Sequence, residues 1–312
     1  MGRMTSLTRA ALPLSAALAG ILVVYIALWS PQQQGDPHFD ARVATPSYAA
    51  NRPRVYFDET WSQGLYGPFV DLVEHDGYAV VRHKGRLVRE ELKNFDVLVV
   101  PIAMGFKQGV KTLPGLRHNL KGDAFTHEES AAVKNWVDGG GALLLASDYA
   151  STAKSADTLA QQFGIRFLDG WAIEPHNHDA DTGPLGFVVF SRGNGQLVQH
   201  PVTRGIDRVM TFTGQAMLFP DTATPFLKMS PEARIAPYRE NQQRLETVPA
   251  AGAAQGVALE SGRGRVVVVG EATMLTSVLV RTDGTTETLG MGHTNCDNRQ
   301  LALNIMHWLS RL

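Results

Sequence analysis

The sequence is short of several things that would narrow its role. Its 312 residues hold a single cysteine, Cys296, which excludes an intrachain disulfide framework and any multi-cysteine zinc site. It has no surplus of charge: 29 basic and 30 acidic residues leave a formal net charge of −1. A dedicated nucleic-acid binder carries a basic excess or stripe, so no nucleic-acid partner is expected. Internal repeats are missing, and no linker is strong enough to split residues 52–312. Apolar residues are not in short supply. At 44% hydrophobic and 19% charged the chain can bury a core, and the roughly 260 residues after the first fifty suffice without covalent staples.

The longest uncharged stretch runs from Ala10 to Trp29. Twenty residues at about 1.5 Å rise span roughly 30 Å, the thickness of a bilayer's hydrocarbon core. Arg3 and Arg9 precede it and the next basic residue is Arg42, so positive-inside asymmetry keeps residues 1–9 in the cytoplasm and sends the rest across. Residues 10–29 therefore read as a signal anchor in the lipid bilayer of the inner membrane, with the remainder periplasmic. A cleaved signal peptide is the rival; its apolar region is usually about 7–15 residues with a small-x-small site after it, and Ala-Leu-Trp-Ser-Pro is a poor site. Residues 30–51, with Gln32–Gln34, Gly35, Pro37 and Pro46, read as a polar tether.

From Arg54 strand and helix alternate. Arg54–Asp58 and Tyr78–Arg82 read as strands, and Asp96–Pro101 and Ala142–Ala146 as continuous apolar strands covered on both faces. A helix is expected around Phe69–His75. Thr126-His-Glu-Glu129 has the spacing of a capping box ahead of an amphipathic helix, and a helix around Ala156–Phe163 stops at Gly164. Further strands are expected at Phe187–Phe190, Val209–Phe212, Val257–Glu260 and Arg265–Val269, then a last helix capped by Asn295 or Asp297. Pro220–Gly256 reads as a long surface excursion. The class expected is α/β, a mostly parallel sheet with helices on both faces.

Ligands bind outside the carboxyl ends of strands in such sheets. That rule gathers Asp58 and Glu59, then Ser147 and Asp148, then Glu271, with the loop carrying His293, Asn295 and Asn298 folded over the same edge. The expected result is a cleft of carboxylates and amides.

These segments resemble the class I glutamine amidotransferase-like superfamily. Within it they resemble an uncharacterised bacterial domain family allied to auxiliary components of gliding-type ABC transporters and to intraflagellar-transport proteins. The segments that carry the resemblance are FDE (57–59), FTHEESAAVKNWVDGGGALLLASD (125–148), HPVTRGI (200–206), TFTGQ (211–215), GRGRVVVVGEATMLT (262–276) and DNRQLALNIMHWLSRL (297–312). The resemblance implies a flavodoxin-like sheet over residues 52–312 and often an N-terminal membrane anchor, with no established activity. True amidotransferases place a nucleophilic cysteine on the turn after a central strand and a histidine after a late one. This chain has Ala146-Ser147-Asp148 and Val269-Gly270-Glu271 instead. Without the thiolate–imidazole pair, ammonia release from glutamine is not expected. Relatives also carry histidines where this chain has Trp61 and Tyr149.

Three other patterns compete. His176, His178 and Asp181 form the densest group of metal-type ligands, but in a polar loop bounded by Pro and Gly; metal site and solvated loop both stay open. Ser151-Thr-Ala-Lys154 matches S-x-x-K without its supporting elements and reads as a helix N-cap. Ser147, Glu271 and His293 have the residue types of a hydrolytic triad, though no G-x-S-x-G elbow surrounds Ser147.

The reading is a membrane-anchored extracytoplasmic binding or scaffold domain without a cofactor or catalysis, beside an envelope transporter or glycan system. Its ligand groups are expected to be Asp58, Glu59, Ser147, Asp148, Glu271, Asn295 and Asn298. The alternative is a hydrolase of envelope sugars or esters using Ser147 or the Asp148 and Glu271 carboxylates.

Overall fold

The computed structural model describes residues 32–62, 64–85, 87, 89–103, 122–148, 155–182, 186–237, 247–282 and 284–312. The expected membrane span at 10–29 and the Ser151–Lys154 pattern lie outside the described residues. Among the described residues no helix is long and apolar enough to cross a bilayer.

In chain order the elements begin with β1 (Gln32–Gly35), β2 (Arg54–Asp58), α1 (Gly67–His75), β3 (Ala79–His83), α2 (Arg89–Leu92), β4 (Val97–Val100), α3 (His127–Asp138) and β5 (Ala142–Ala146). There follow α4 (Asp157–Ala160), β6 (Arg166–Phe167), β7 (Trp171–Ile173), β8 (Val188–Ser191), β9 (Arg208–Thr211), β10 (Met217–Leu218) and β11 (Thr224–Lys228). The last are β12 (Arg234–Ala236), β13 (Val248–Pro249), β14 (Ala254–Ser261), β15 (Gly264–Val269), β16 (Ser277–Thr282), β17 (Thr285–Gly290) and α5 (Asn298–Leu309).

A nine-stranded sheet in the order β3-β2-β4-β5-β15-β14-β10-β6, with β11 also paired to β14, forms the centre. The strands from β3 to β15 in that order run parallel. The apolar runs VLVV and ALLLA are buried along their whole length because both faces are covered. Strand alternation decides which side chain meets which layer. Val55, Phe57, Val99, Leu144 and Val267 pack with α1 and α5, while Tyr56, Leu98, Leu143, Leu145 and Val266 pack with α2, α3 and α4. The capping box forms as the spacing predicts: Glu129 N–H donates to the Thr126 hydroxyl at 3.1 Å, and Thr126 N–H donates to the Glu129 carboxylate at 2.8 Å.

Three expectations need correction. The sheet is mixed rather than mostly parallel, because β14 turns straight back onto β15 and brings β10 and β11 with it antiparallel. The described parts of 220–256, residues 220–237 and 247–256, are no excursion. They contain β11 and β12, and Phe226, Leu227, Met229 and Ile235 are fully buried or nearly so. Residues 32–51 are not a free tether. β1 pairs antiparallel with β16, Gln32 opposite Arg281 and Gly35 opposite Val278. Beyond it Ala41 is buried and Phe39, Val43 and Tyr48 pack on the core, and the Tyr48 hydroxyl donates to Ser310 Oγ at 2.9 Å. Main-chain pairing explains why this went unseen: the edge of β16 accepts a glutamine-rich strand through its backbone, whatever the side chains.

Candidate functional site

The carboxyl ends of β2, β5 and β15 carry Asp58, Ser147 with Asp148, and Glu271. β5 and β15 are neighbours, with Ala146 opposite Val269, and the Ser147 N–H donates to the Val269 carbonyl at 2.9 Å. That register carries Asp148 and Glu271 out of the sheet side by side. β2 lies two strands away, about 10 Å across at the usual strand spacing. Alternation separates the groups further. Asp58 falls on the layer of α2 to α4, whereas Asp148 and Glu271 fall on the layer of α1 and α5, where Tyr66 is buried. The single cleft expected at this edge is thus two sites divided by the sheet.

On the α1/α5 side, Glu271 is fully buried and Asp148 is 8% exposed. Glu271 accepts from Thr273 N–H at 2.7 Å and from Met274 N–H at 2.8 Å, which caps the short 3₁₀ turn Thr273–Leu275. Burial pushes the Glu271 carboxyl above its usual range against those hydrogen bonds. Burial, and then the charge of Glu271, push Asp148 well above it. Burial and the same two carboxylates raise the Tyr66 phenol. Two like charges in one dry site cannot both be retained cheaply, so each carboxyl holds its proton more tightly than it would in water. The loop of TFTGQ closes over Glu271: a Cβ at Gly214, whose φ is +86°, would stand 2.6 Å from the Glu271 Cβ, and Thr213 is held at φ +91°, a costly conformation for a β-branched residue.

Ser147 is buried and its hydroxyl donates to Gln215 Oε1 at 2.7 Å, while the Gln215 N–H donates to the Gly270 carbonyl at 2.7 Å. A hydroxyl engaged in this way is not presented to a substrate. His293 stands 5.7 Å from the Phe212 ring, and its Nδ1 accepts from Asn295 N–H at 3.3 Å. Among the described residues no hydrogen bond or ion pair joins His293 to Ser147 or Glu271, so the triad is not assembled. Asn298 is fully buried and clamps Met210, accepting from its N–H at 3.1 Å and donating to its carbonyl at 2.7 Å. Its amide fastens α5 to β9 and does not face a ligand. Asn295 is exposed at the surface of the loop.

The metal reading of His176, His178 and Asp181 is not supported by placement. Among the described residues no group of three His, Cys, Asp or Glu is arranged to hold an ion. His178 Nδ1 pairs with the Glu174 carbonyl at 3.0 Å, and Asp181 N–H donates to Asp179.

On the other side the edge carries a cleft. A cleft of about 590 Å³ is lined by Asp58, Trp61, Asp123, Phe125, His127 and Glu128 among others. Asp58 lies at its floor, 3% exposed, accepting from Thr60 N–H at 3.0 Å. Burial raises its carboxyl above the usual range, with the Thr60 hydrogen bonds and His83 opposing and Glu129 adding to the rise. Glu59 turns outward to Arg82 at 3.2 Å and Lys84 at 3.6 Å. Sequence reasoning missed Tyr66, Gln215, Asp123, His127 and Glu128 as site residues. The last two were within reach, since a capping box after a parallel strand's loop starts its helix at the same edge where ligands bind.

No protein-family model matches the sequence, and no curated protein matches it significantly. Among solved structures, the "mmIFT52 N-terminal domain" superposes with a TM-score of 0.53 at 11% identity, covering 82% of this chain and 97% of that one. That likeness shows the fold alone. Looser overlaps include a ThuA-like protein from Bacteroides uniformis, at TM-score 0.43, 12% identity and 85% and 94% coverage. A glutamine amidotransferase from Thermotoga maritima gives 0.38, 11%, and 73% and 78%. These two overlaps are too loose to carry any argument.

Proposed function

We propose that the protein is a membrane-held, extracytoplasmic amidotransferase-like domain that binds a polar ligand without transforming it, beside an envelope transporter or glycan system. One observation carries this reading: the groups with reactive potential at the sheet edge are spent internally, Ser147 on Gln215 and Glu271 on two backbone N–H groups. The cleft on the other layer offers recognition chemistry instead. Trp61 supplies an aromatic face, and the Asp58 and Asp123 carboxylates line the same cleft, the combination that suits the C–H faces and hydroxyls of a sugar. Soluble fragments of envelope polysaccharide are titrated into the full-length protein, with thermal shift and heat of binding as readouts. Saturable binding lost in Asp58→Asn and Trp61→Ala is expected; binding that survives both substitutions removes the cleft from the account.

A second reading, hydrolysis of envelope sugars or esters, is favoured by the Asp148–Glu271 pair. Two neighbouring carboxyls that both hold their protons more tightly than usual have the residue types of acid-assisted cleavage. Turnover of chromogenic glycosides or esters, abolished by Glu271→Gln with folding intact, would replace the first reading.

A further inference from the structure

Away from both sites, three sheets meet around Glu174. This residue follows β7 and is completely buried. Its Oε1 accepts from Gln196 Nε2–H at 2.7 Å and from Ser230 N–H at 2.7 Å. Its Oε2 has no hydrogen-bond partner, and neither do Gln196 Oε1 and Ser230 Oγ. Among the described residues seven buried side-chain polar atoms are orphaned in this way, and three of them fall on this one cluster, all oxygens. Gln196 is 4% exposed and Ser230 7%. Gln196 comes from the turn after β8, Ser230 from the end of β11. Lys228 N–H donates to the Gln196 carbonyl at 2.9 Å, so the two flanking strands are already tied together at this point.

A buried carboxylate with an unused oxygen is costly unless something positive meets it. Among the described residues no Lys, Arg or His forms an ion pair with Glu174. A water molecule would satisfy the three oxygens as hydrogen-bond partners but leave the charge uncompensated. A hard cation satisfies both, because carboxylate, amide and hydroxyl oxygens are the ligands such ions take. One carboxylate, one amide and one hydroxyl can supply at most one negative charge. A divalent ion would therefore leave a buried excess of one, and magnesium in addition dehydrates reluctantly. We infer that Glu174, Gln196 and Ser230 form a structural site for a monovalent alkali cation, which ties the sheet of β7, β12 and β13 to β11 and to the β8–β9 hairpin.

The test uses the full-length protein in detergent, unfolded by heat in choline chloride and then in sodium or potassium chloride at equal ionic strength. A saturable rise of at least about 3 °C with the alkali cation is expected, since a ligand that binds only the folded state stabilises it by mass action. Glu174→Gln, which keeps an oxygen for Gln196 and Ser230 but loses the charge, should abolish the rise. Ser230→Ala keeps the backbone N–H donor, so it tests the site even where the first variant does not fold. It should weaken the cation dependence roughly tenfold, the equivalent of one lost ligand. Identical melting in choline and alkali salts overturns the assignment, as does a dependence unchanged in either variant. A rise with calcium chloride alone overturns the monovalent assignment.

Discussion

At the scale of single residues, two buried acids and one thiol give the sharpest consequences. Asp148 is raised by burial and by Glu271, so the folded protein binds a proton that the unfolded chain releases near the ordinary carboxylate value. The sign follows from linkage: between the unfolded value and the raised folded one the native state holds more protons, and stability falls as pH rises through that window. Asp148→Asn removes the titrating group, and its melting temperature should exceed that of the parent at pH 8 by about 2–4 °C for each kcal/mol recovered. The two proteins should converge near pH 4. A variant no more stable at pH 8 than at pH 4, relative to its parent, would show that Asp148 is not desolvated. Cys296 is the second case. Burial first, then the Asp297 charge, raise its thiol to about 11, against backbone hydrogen bonds that pull it down, and its Sγ–H leans on the Gly290 and His293 carbonyls. Two units cost roughly a hundredfold in thiolate at pH 8. Modification by a disulfide reagent in the folded protein should be slower by about that factor than in urea, and modification at equal rates in both would refute the burial.

At the scale of elements, the strength of a joint depends on groups that have no alternative partner. The Asn298 side chain satisfies both polar groups of Met210, and both residues are fully buried. Asn298→Ala should cost about 2–3 kcal/mol by leaving a buried N–H and carbonyl unpaired, measured by urea unfolding; a cost under about 0.5 kcal/mol would mean that water replaces the amide. Legibility in the sequence also divides by element. β2, β4, β5 and β15 were readable because a strand covered on both faces must be apolar throughout, and α3 because its cap is spelled in residue types. β11 and the first half of β14, before the expected Val257–Glu260, were not. They use Pro225, Gly256 and Ala254 because bulk is supplied from elsewhere: a Cβ at Gly256 would stand 2.7 Å from the Phe226 ring. Small residues that make room for a neighbour look, in one dimension, like a loop. The site shows the same limit. Strand ends placed Asp58, Ser147, Asp148 and Glu271 at one edge, but which layer each joins depends on alternation and register across three strands. That is why one expected cleft became a closed acid pair and a separate groove, and why Tyr66 and Gln215, brought in from distant loops, left no spacing to detect.

At the scale of the molecule, the segment before β2 decides how the domain stands against the membrane proposed for residues 10–29. A polar tether would let the body hang free, and a chain beginning at residue 52 would lose nothing. The structure instead sews residues 32–48 into the fold at both ends. β1 completes the sheet with β16 and β17. Further along, Ser47 N–H donates to Asp76 Oδ1 at 3.0 Å, and Asp76 Oδ2 meets His307 Nε2 at 2.6 Å. Arg299, on α5, donates to the carbonyls of Asp40 and Arg42. The stretch therefore straps α1 to α5 and covers an edge strand that would otherwise offer its backbone to other chains. A chain starting at residue 52 should melt at least about 5 °C below one starting at residue 32, since even 2 kcal/mol is worth that much in a domain of this size, and it should self-associate through the bared β16 edge. Equal melting temperatures and monomeric behaviour in light scattering would restore the tether. If the strap holds, fewer than three residues separate the end of the proposed span at Trp29 from the first hydrogen-bonded strand residue, Gln32. The folded body would then be seated close against the lipid headgroups, with β1 as its fixed point.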